Sequence, residues 1–309
     1  MGAAVDVGSN SVHVLVARIG EGALLPLLDE SVLLGLGAIV DREGRLPAEA
    51  CDATVEALRR YVARATELGA RQITLVATEP VRRASNRSVL QADVQRATGL
   101  PIHLLSHDAE AELTLLGVTH GRHPRERLLV MDIGGGSTEL ILVTPGGDPV
   151  VGALPTGSSR LTEAFVTHDP PTWFEVNALR AEAKRLVDAM PSGQPERGVI
   201  VGGTGTNLVK ILRDGAEPGT LSAAQLEDAF ALLTSRPAAE LVDAFAINLR
   251  RAGQLAAGAA LTEAILVRYE LPGLEVSDSS LREGAILATS LAGERWPEQL
   301  SQLVTPQPG

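Results

Sequence analysis

The chain has 309 residues, 45% of them apolar and 21% charged, with a formal net charge of −11. That balance describes a globular protein long enough for two domains. It excludes the broad basic surface that general binding to DNA or RNA requires. Aromatic residues make up only 3%, too few for a base-stacking platform, so the core is expected from Leu, Val, Ile and Ala. The single cysteine, Cys51, has no internal disulfide partner and reads as a small core residue of a protein in a reducing cytoplasm. No run approaches about 18 uninterrupted apolar residues, and no basic region precedes an apolar one at the N-terminus. Neither a membrane span nor a signal peptide is therefore expected.

Taken in chain order, residues 3–7 and 12–19 read as short strands joined by Gly8-Ser9-Asn10-Ser11. Residues 47–68 carry helical spacing (Ala50, Val55, Leu58, Val62, Ala65) and stop at Gly69. The apolar run 73–77 has buried-strand length. A helix over 86–98, closed by Gly99, leads to a strand at 102–105 and a helix at 108–117. The polar, proline-broken stretch HGRHPRER at 120–127 marks a domain boundary, giving domains 1–122 and 123–309. Strands at 128–133, 138–143 and 149–154, helices within 158–189 and a buried strand at 198–201 follow. The chain then reads as largely helical to about 270, with a strand at 274–277 and a last helix from about 281. Strands alternating with helices give an α/β protein.

The chain repeats itself. Asp6-Val7-Gly8-Ser9-Asn10-Ser11 lies over Asp132-Ile133-Gly134-Gly135-Gly136-Ser137, 126 residues later, which is about one domain. Two like-folded domains facing a common cleft are expected. Glycines after a buried strand let backbone N–H groups approach a ligand, and several such groups converging make an anion site suited to phosphate. Ser9, Asn10, Ser11, Ser137 and Thr138 add side-chain donors. A third turn, Gly202-Gly203-Thr204-Gly205, follows another buried strand and is expected to supply another phosphate loop. Asp6 and Asp132 beside phosphate call for a bridging cation, and hard Mg²⁺ (or Mn²⁺) is the expected one. No GxxxxGK[ST] or GxGxxG motif is present.

These residues resemble the actin-like phosphotransferase superfamily, and within it the Ppx/GppA phosphatases. The resemblance is carried by AVDVGSNSVHVLVARI (4–19), ATEPVRRASN (77–86), LLSHDAEAELTLLG (104–117), DIGGGSTEL (132–140), LPTGSSRLTE (154–163), VGGTGTNL (201–208) and SDSSLREG (277–284). It spans the chain from residue 3 to about 290, in the short form without a further helical domain. It implies two actin-like, ribonuclease H-like domains with mixed sheets flanked by helices and an active site in the interdomain cleft. It also implies hydrolysis of a terminal phosphoanhydride in a homodimer, with polyphosphate of short to medium length or pppGpp as substrate.

By the resemblance, Glu110 activates the attacking water, Asp132 and Glu139 hold the metal, and Arg82 pairs with phosphate oxygens. Gly8, Gly134, Gly135, Gly136, Gly202, Gly203 and Gly205 position the substrate. The chain departs from the family at His107-Asp108-Ala109-Glu110-Ala111-Glu112, where Gly-x-Glu-Glu-Ala-Arg is usual. Ser280 stands where glycine is preferred, and 27–37 lacks a customary basic residue. Two other readings compete. One is a kinase of the same superfamily, for which no adenosine pocket or acceptor-side aspartate is assigned. The other is a polyphosphate- or nucleotide-binding sensor that has lost turnover, favoured by the altered surroundings of Glu110. His13 reads equally as a core or a surface residue at the edge of the cleft. Arg250, Arg251 and Arg282 read as part of a basic site or as solvated helix charges, and the His120/His123 pair reads as a loop without metal.

Overall fold

A computed structural model describes residues 1–20, 23–212 and 219–305. The chain divides into two compact units, Met1–His123 joined by the segment that begins at Ser279, and Pro124–Asp278.

The first unit runs β1 (Gly2–Val7), β2 (Ser11–Ile19), β3 (Leu24–Leu33), α1 (Leu36–Glu43), α2 (Ala48–Glu67), β4 (Gln72–Ala77), α3 (Glu79–Arg83), α4 (Arg87–Thr98), β5 (Ile102–Leu104) and α5 (His107–Val118). Its sheet has the order β3-β2-β1-β4-β5. β1, β2 and β3 form an antiparallel meander, and β4 and β5 add in parallel. The inner strands β1 and β2 are almost continuously apolar because both sheet faces are covered. Helix α2 buries Thr54, Leu58, Tyr61 and Ala65, a stripe at helical spacing. Cys51 is buried on the same helix. Helix α4 stops at Gly99, whose φ of 74° only glycine adopts readily.

The second unit runs β6 (Leu128–Ile133), β7 (Thr138–Val143), β8 (Val150–Leu154), α6 (Ser158–Phe165), α7 (Trp173–Asp188), β9 (Arg197–Val201), α8 (Gly202–Leu212), β10 (Thr220–Ser222), α9 (Ala223–Ser235), α10 (Ala238–Phe245), α11 (Leu249–Arg268) and β11 (Gly273–Ser277). The sheet order is β10-β11-β9-β6-β7-β8. Without the short β10 it repeats the first sheet, with an antiparallel β6-β7-β8 meander and parallel β9 and β11. Each unit is thus the ribonuclease H-like sheet expected of an actin-like half. Among the described residues no helix is long and apolar enough to cross a membrane.

The structure departs from the sequence reading at several places. β3 and α1 occupy a region assigned no element. β3 is an edge strand with Leu25 and Leu27 exposed and Pro26 between them, so its alternation is blurred. The turn expected at 202–205 is the first turn of α8. β10 interrupts the helical stretch, within which residues 213–218 lie outside the described residues.

The last helices, α12 (Leu281–Ala292) and α13 (Trp296–Val304), belong to the first unit and not to the second, where a division at 122/123 puts them. Their burial explains it. Thr289 Oγ1 lies 2.6 Å from Thr74 Oγ1, and Thr289 O accepts from Gln72 Nε2 at 3.2 Å. Ile286 packs on Gly2. Trp296 meets His103 edge-on, with ring centroids 5.1 Å apart, and Ser301 Oγ donates to Glu112 at 2.7 Å.

α5 and α12 cross with almost no side chain between them. A Cβ at Gly284 would stand against the Leu113 carbonyl, and one at Gly117 against the Ser280 carbonyl. Gly284→Ala is therefore expected to destabilise the protein by about 1–3 kcal/mol through overpacking, read as a lowered midpoint in urea unfolding. A wild-type midpoint would show that the helices separate freely.

Candidate active site

In the second unit the register sets Asp132 of β6 opposite Glu139 of β7, so their side chains share one face of the sheet. Glu139 is buried and Asp132 half-buried. Between them the chain turns through Gly134–Ser137, closed by Gly134 N donating to Ser137 O at 3.0 Å. The turn is anchored from one side. Gly134 O accepts from Ser158 N (2.9 Å) and Ser158 Oγ (3.2 Å), and Gly135 O accepts from Ser159 N (3.0 Å). Gly136 O accepts from Arg160 Nη1 at 2.7 Å, and the same nitrogen holds Pro155 O.

These carbonyls satisfy the orphan amides that open α6. A trans peptide points its N–H opposite its C=O. Three carbonyls pinned toward α6 therefore turn the amides of Gly135, Gly136 and Ser137 the other way, as an anion cradle requires. Among the described residues, the Gly135 and Gly136 amides donate to no backbone carbonyl.

The glycines opening α8 serve different ends. Gly202, at φ 79°, leaves the Asp132 carboxylate room, since a Cβ there would stand 2.9 Å from Asp132 Oδ1. A Cβ on Gly203 would overlap the Arg251 guanidinium, while Gly205 lets α8 settle on Ile200. Arg251, which the sequence left between site and surface, is thus drawn against this turn and feels the charge of Asp132. Burial pushes its guanidinium down, and Asp132 opposes that. Two expected phosphate donors are otherwise engaged. Thr138 Oγ1 donates to Thr156 O and Thr204 Oγ1 to Ile133 O, each at 2.9 Å. Their hydroxyl protons hold the main chain rather than facing a ligand.

The first unit repeats the turn with altered chemistry. Gly8 N donates to Ser11 O at 3.0 Å. Ser9 O accepts from Gly37 N, and Asn10 O from Leu34 N and Gly35 N, so the carbonyls are again anchored from behind. The register pairs Asp6 with His13, so a histidine stands where the second copy has Glu139. His13 Nε2 lies 2.6 Å from Ser11 Oγ. Ser9 Oγ donates to Glu79 at 3.1 Å. Glu79 is buried, which raises its carboxyl, and Arg83 holds it at 2.7 Å.

Asp6, with Tyr61, is one of two buried polar side chains left with an unpartnered atom among the described residues. Its Oδ1 is shielded from solvent and has no hydrogen-bond partner among the described residues. Burial pushes the carboxyl up to about 6, against the pull of Arg282. Arg282 opens α12 and is itself ion-paired with Asp29 at 2.5 Å. A buried carboxylate oxygen with no donor fits a hard cation, and so does the all-carboxylate pair Asp132/Glu139.

Glu110 lies in the first turn of α5, whose N-cap Ser106 accepts from Ala109 N at 3.1 Å. It is 6% exposed and is ion-paired with Arg82. Arg82 Nη1 also donates to Leu105 O at 2.6 Å, and Nη2 lies 3.1 Å from His107 Nε2. Arg82, expected on phosphate, is thus directed at the residue expected to activate water. The pairing of His107 with Arg82 had no sequence signal, because His107 appears there only as a departure from the usual glycine.

Residues 15–292 match the model of the Ppx/GppA phosphatase family. Exopolyphosphatase 1 of Mycobacterium tuberculosis is 29% identical over 298 residues, covering 92% of this chain and 86% of that protein. An uncharacterised protein of Streptomyces coelicolor is 32% identical over 307 residues, covering 94% and 91%. Among solved structures, the Ppx/GppA family member of Aquifex aeolicus superposes with a TM-score of 0.82 at 29% identity, covering 94% of this chain and 98% of that one. The chain belongs to the Ppx/GppA phosphatase family, and with it to the phosphoanhydride hydrolases.

The orphaned carboxylate generates a pH prediction. The value of about 6 for Asp6 lies above its ordinary 3.8, so the folded state holds the proton more tightly than the unfolded one. The penalty of ionising Asp6 is absent below about pH 4 and complete above about pH 6. In metal-free buffer, Asp6→Asn is expected to stabilise the protein at pH 7.5 by about 1–3 kcal/mol. The gain fades toward pH 4 in urea titrations across that range. A gain independent of pH would mean that burial does not raise this carboxyl.

Proposed function

We propose that the protein is an Mg²⁺-dependent exopolyphosphatase that removes the terminal phosphate of short to medium polyphosphate chains. The observation that carries this reading is the pair of hairpin turns, Gly8–Ser11 and Gly134–Ser137, whose carbonyls are anchored from behind, turning their amides away from those anchors as phosphate binding requires. The similarity to Exopolyphosphatase 1 of Mycobacterium tuberculosis supports the substrate class.

In this reading Ser9, Asn10, Ser11, Gly135, Gly136 and Ser137 bind phosphate oxygens. Asp132 and Glu139 would hold Mg²⁺ or Mn²⁺, as would the Asp6 carboxylate in its own unit, and the ion supplies charge neutralisation to the phosphate oxygens. Arg82 orients the Glu110 carboxylate and offers its guanidinium to the terminal phosphate. Glu110 takes one proton from water as the water oxygen bonds to the terminal phosphorus. The bond from phosphorus to the bridging oxygen breaks in line, leaving orthophosphate and a chain one unit shorter. Positioning and neutralisation supply most of the rate in such transfers.

The test is phosphate release from medium-chain polyphosphate with Mg²⁺ by the purified protein and by Glu110→Gln. Wild type is expected to be active and the variant to lose about 10²–10⁴-fold, with its thermal unfolding recorded to confirm folding. Activity on pppGpp alone would reassign the substrate, and tight polyphosphate binding without release would make the protein a sensor. Chain length is read in the same assay, where equal rates on short and very long polymers would remove the stated preference.

A further inference from the structure

The second unit contains a cavity of about 240 Å³ whose lining includes none of the phosphate turns, Asp132 or Glu139. It lies between the end of α6, the segment that follows it, the junction of α9 with α10, and the first half of α11. Its floor is aliphatic, formed by Val166, Leu233, Leu241, Ala252 and Ala256. An enclosed apolar cavity of about 150 Å³ accepts benzene, so the volume here is large enough for an apolar group of at least that size.

The rim carries charge of both signs. Arg236 is exposed and enters no ion pair among the described residues. Asp169 is fixed by accepting Ala238 N on Oδ1 at 2.8 Å, which leaves Oδ2 for a ligand. The rim is also held rigid from behind. The buried Glu175 carboxylate accepts from Thr167 N (2.7 Å), Thr167 Oγ1 (2.8 Å), His168 N (3.2 Å) and Thr172 N (2.8 Å). It also contacts His168 Nδ1 at 2.9 Å, which leaves Nε2 of that imidazole to the rim. These bonds hold the Glu175 carboxyl well below the usual carboxylate range, although burial alone pushes it the other way.

We propose that this cavity is a binding site for a free apolar α-amino acid. The carboxylate would pair with Arg236, the ammonium with Asp169, and an aliphatic or phenyl side chain would fill the floor. Opposite charges at the mouth match a zwitterion, and they disfavour a simple anion, which Asp169 repels, or a simple cation, which Arg236 repels. The helices that form the site also reach the phosphate turns, α6 through Ser158 on Gly134 O and α11 through Arg251 beside Gly203. The site does not overlap those turns.

Isothermal titration of the full chain with L-leucine and L-phenylalanine tests the proposal, beside the matching amine (isopentylamine) and acid (4-methylpentanoate). Saturable binding of an amino acid is expected, with amine and acid each weaker by about tenfold or more, the factor a lost charged hydrogen bond gives. Arg236→Ala, at an exposed position, is expected to remove the advantage of leucine over the amine. Gly253→Leu is expected to abolish binding with no loss of thermal stability, because Gly253 lines the cavity and a Cβ there meets no atom within 4 Å. No saturable binding of either amino acid would overturn the proposal. So would binding unchanged in Gly253→Leu, or amine and acid binding as well as leucine.

Discussion

The direction of a few peptide carbonyls governs the rest of this molecule. At the tip of the β6–β7 hairpin, Gly134, Gly135 and Gly136 direct their oxygens toward α6, where three backbone amides and the Arg160 guanidinium receive them. A helix N-terminus is ordinarily itself an anion site. Here α6 is neutralised by the turn, and the capacity to bind an anion passes to the opposite face of the same peptides. Glycine is required at Gly157, the N-cap of α6, because the start of the helix comes so close to the turn. A Cβ at Gly157 would stand on the Gly134 peptide.

The duplication keeps this backbone device and changes the side chains around it. Each unit sets an arginine from the first turn of a long helix toward its hairpin aspartate, Arg282 of α12 toward Asp6 and Arg251 of α11 toward Asp132. The cross-strand partner differs. Glu139 gives the second copy two carboxylates on one face, whereas His13 gives the first copy a single carboxylate beside an imidazole. Two copies of one fold have thereby been given unequal charge, the more acidic set lying in the second.

Much of this was legible in the sequence because local signals and the fold agree. The inner strands read as apolar runs, Gly99 ended α4, and the repeat of Asp6 at Asp132 announced like halves. What stayed hidden depends on neighbours distant in the chain. β3 lies at a sheet edge, where exposure of Leu25 and Leu27 breaks the alternation that identifies strands. Thr138 and Thr204 read as ligand donors because nothing in the sequence shows the carbonyls of Thr156 and Ile133 waiting beside them. The pairing of Arg82 with Glu110 joins positions 28 apart. It became visible only once β4, α3 and α5 were placed. No local pattern shows that α12 packs on α5.

That last feature has a consequence for how the polypeptide acquires its structure. The second unit is one unbroken stretch, complete in sequence at Asp278, whereas the first needs α12, which is not synthesised until afterwards. On the ribosome, where units form in the order their parts emerge, the later half of the gene encodes the part able to close first. Until α12 arrives, the faces of α5 and β1 that it covers have no partner within their own unit. The unit begun first is the one finished last.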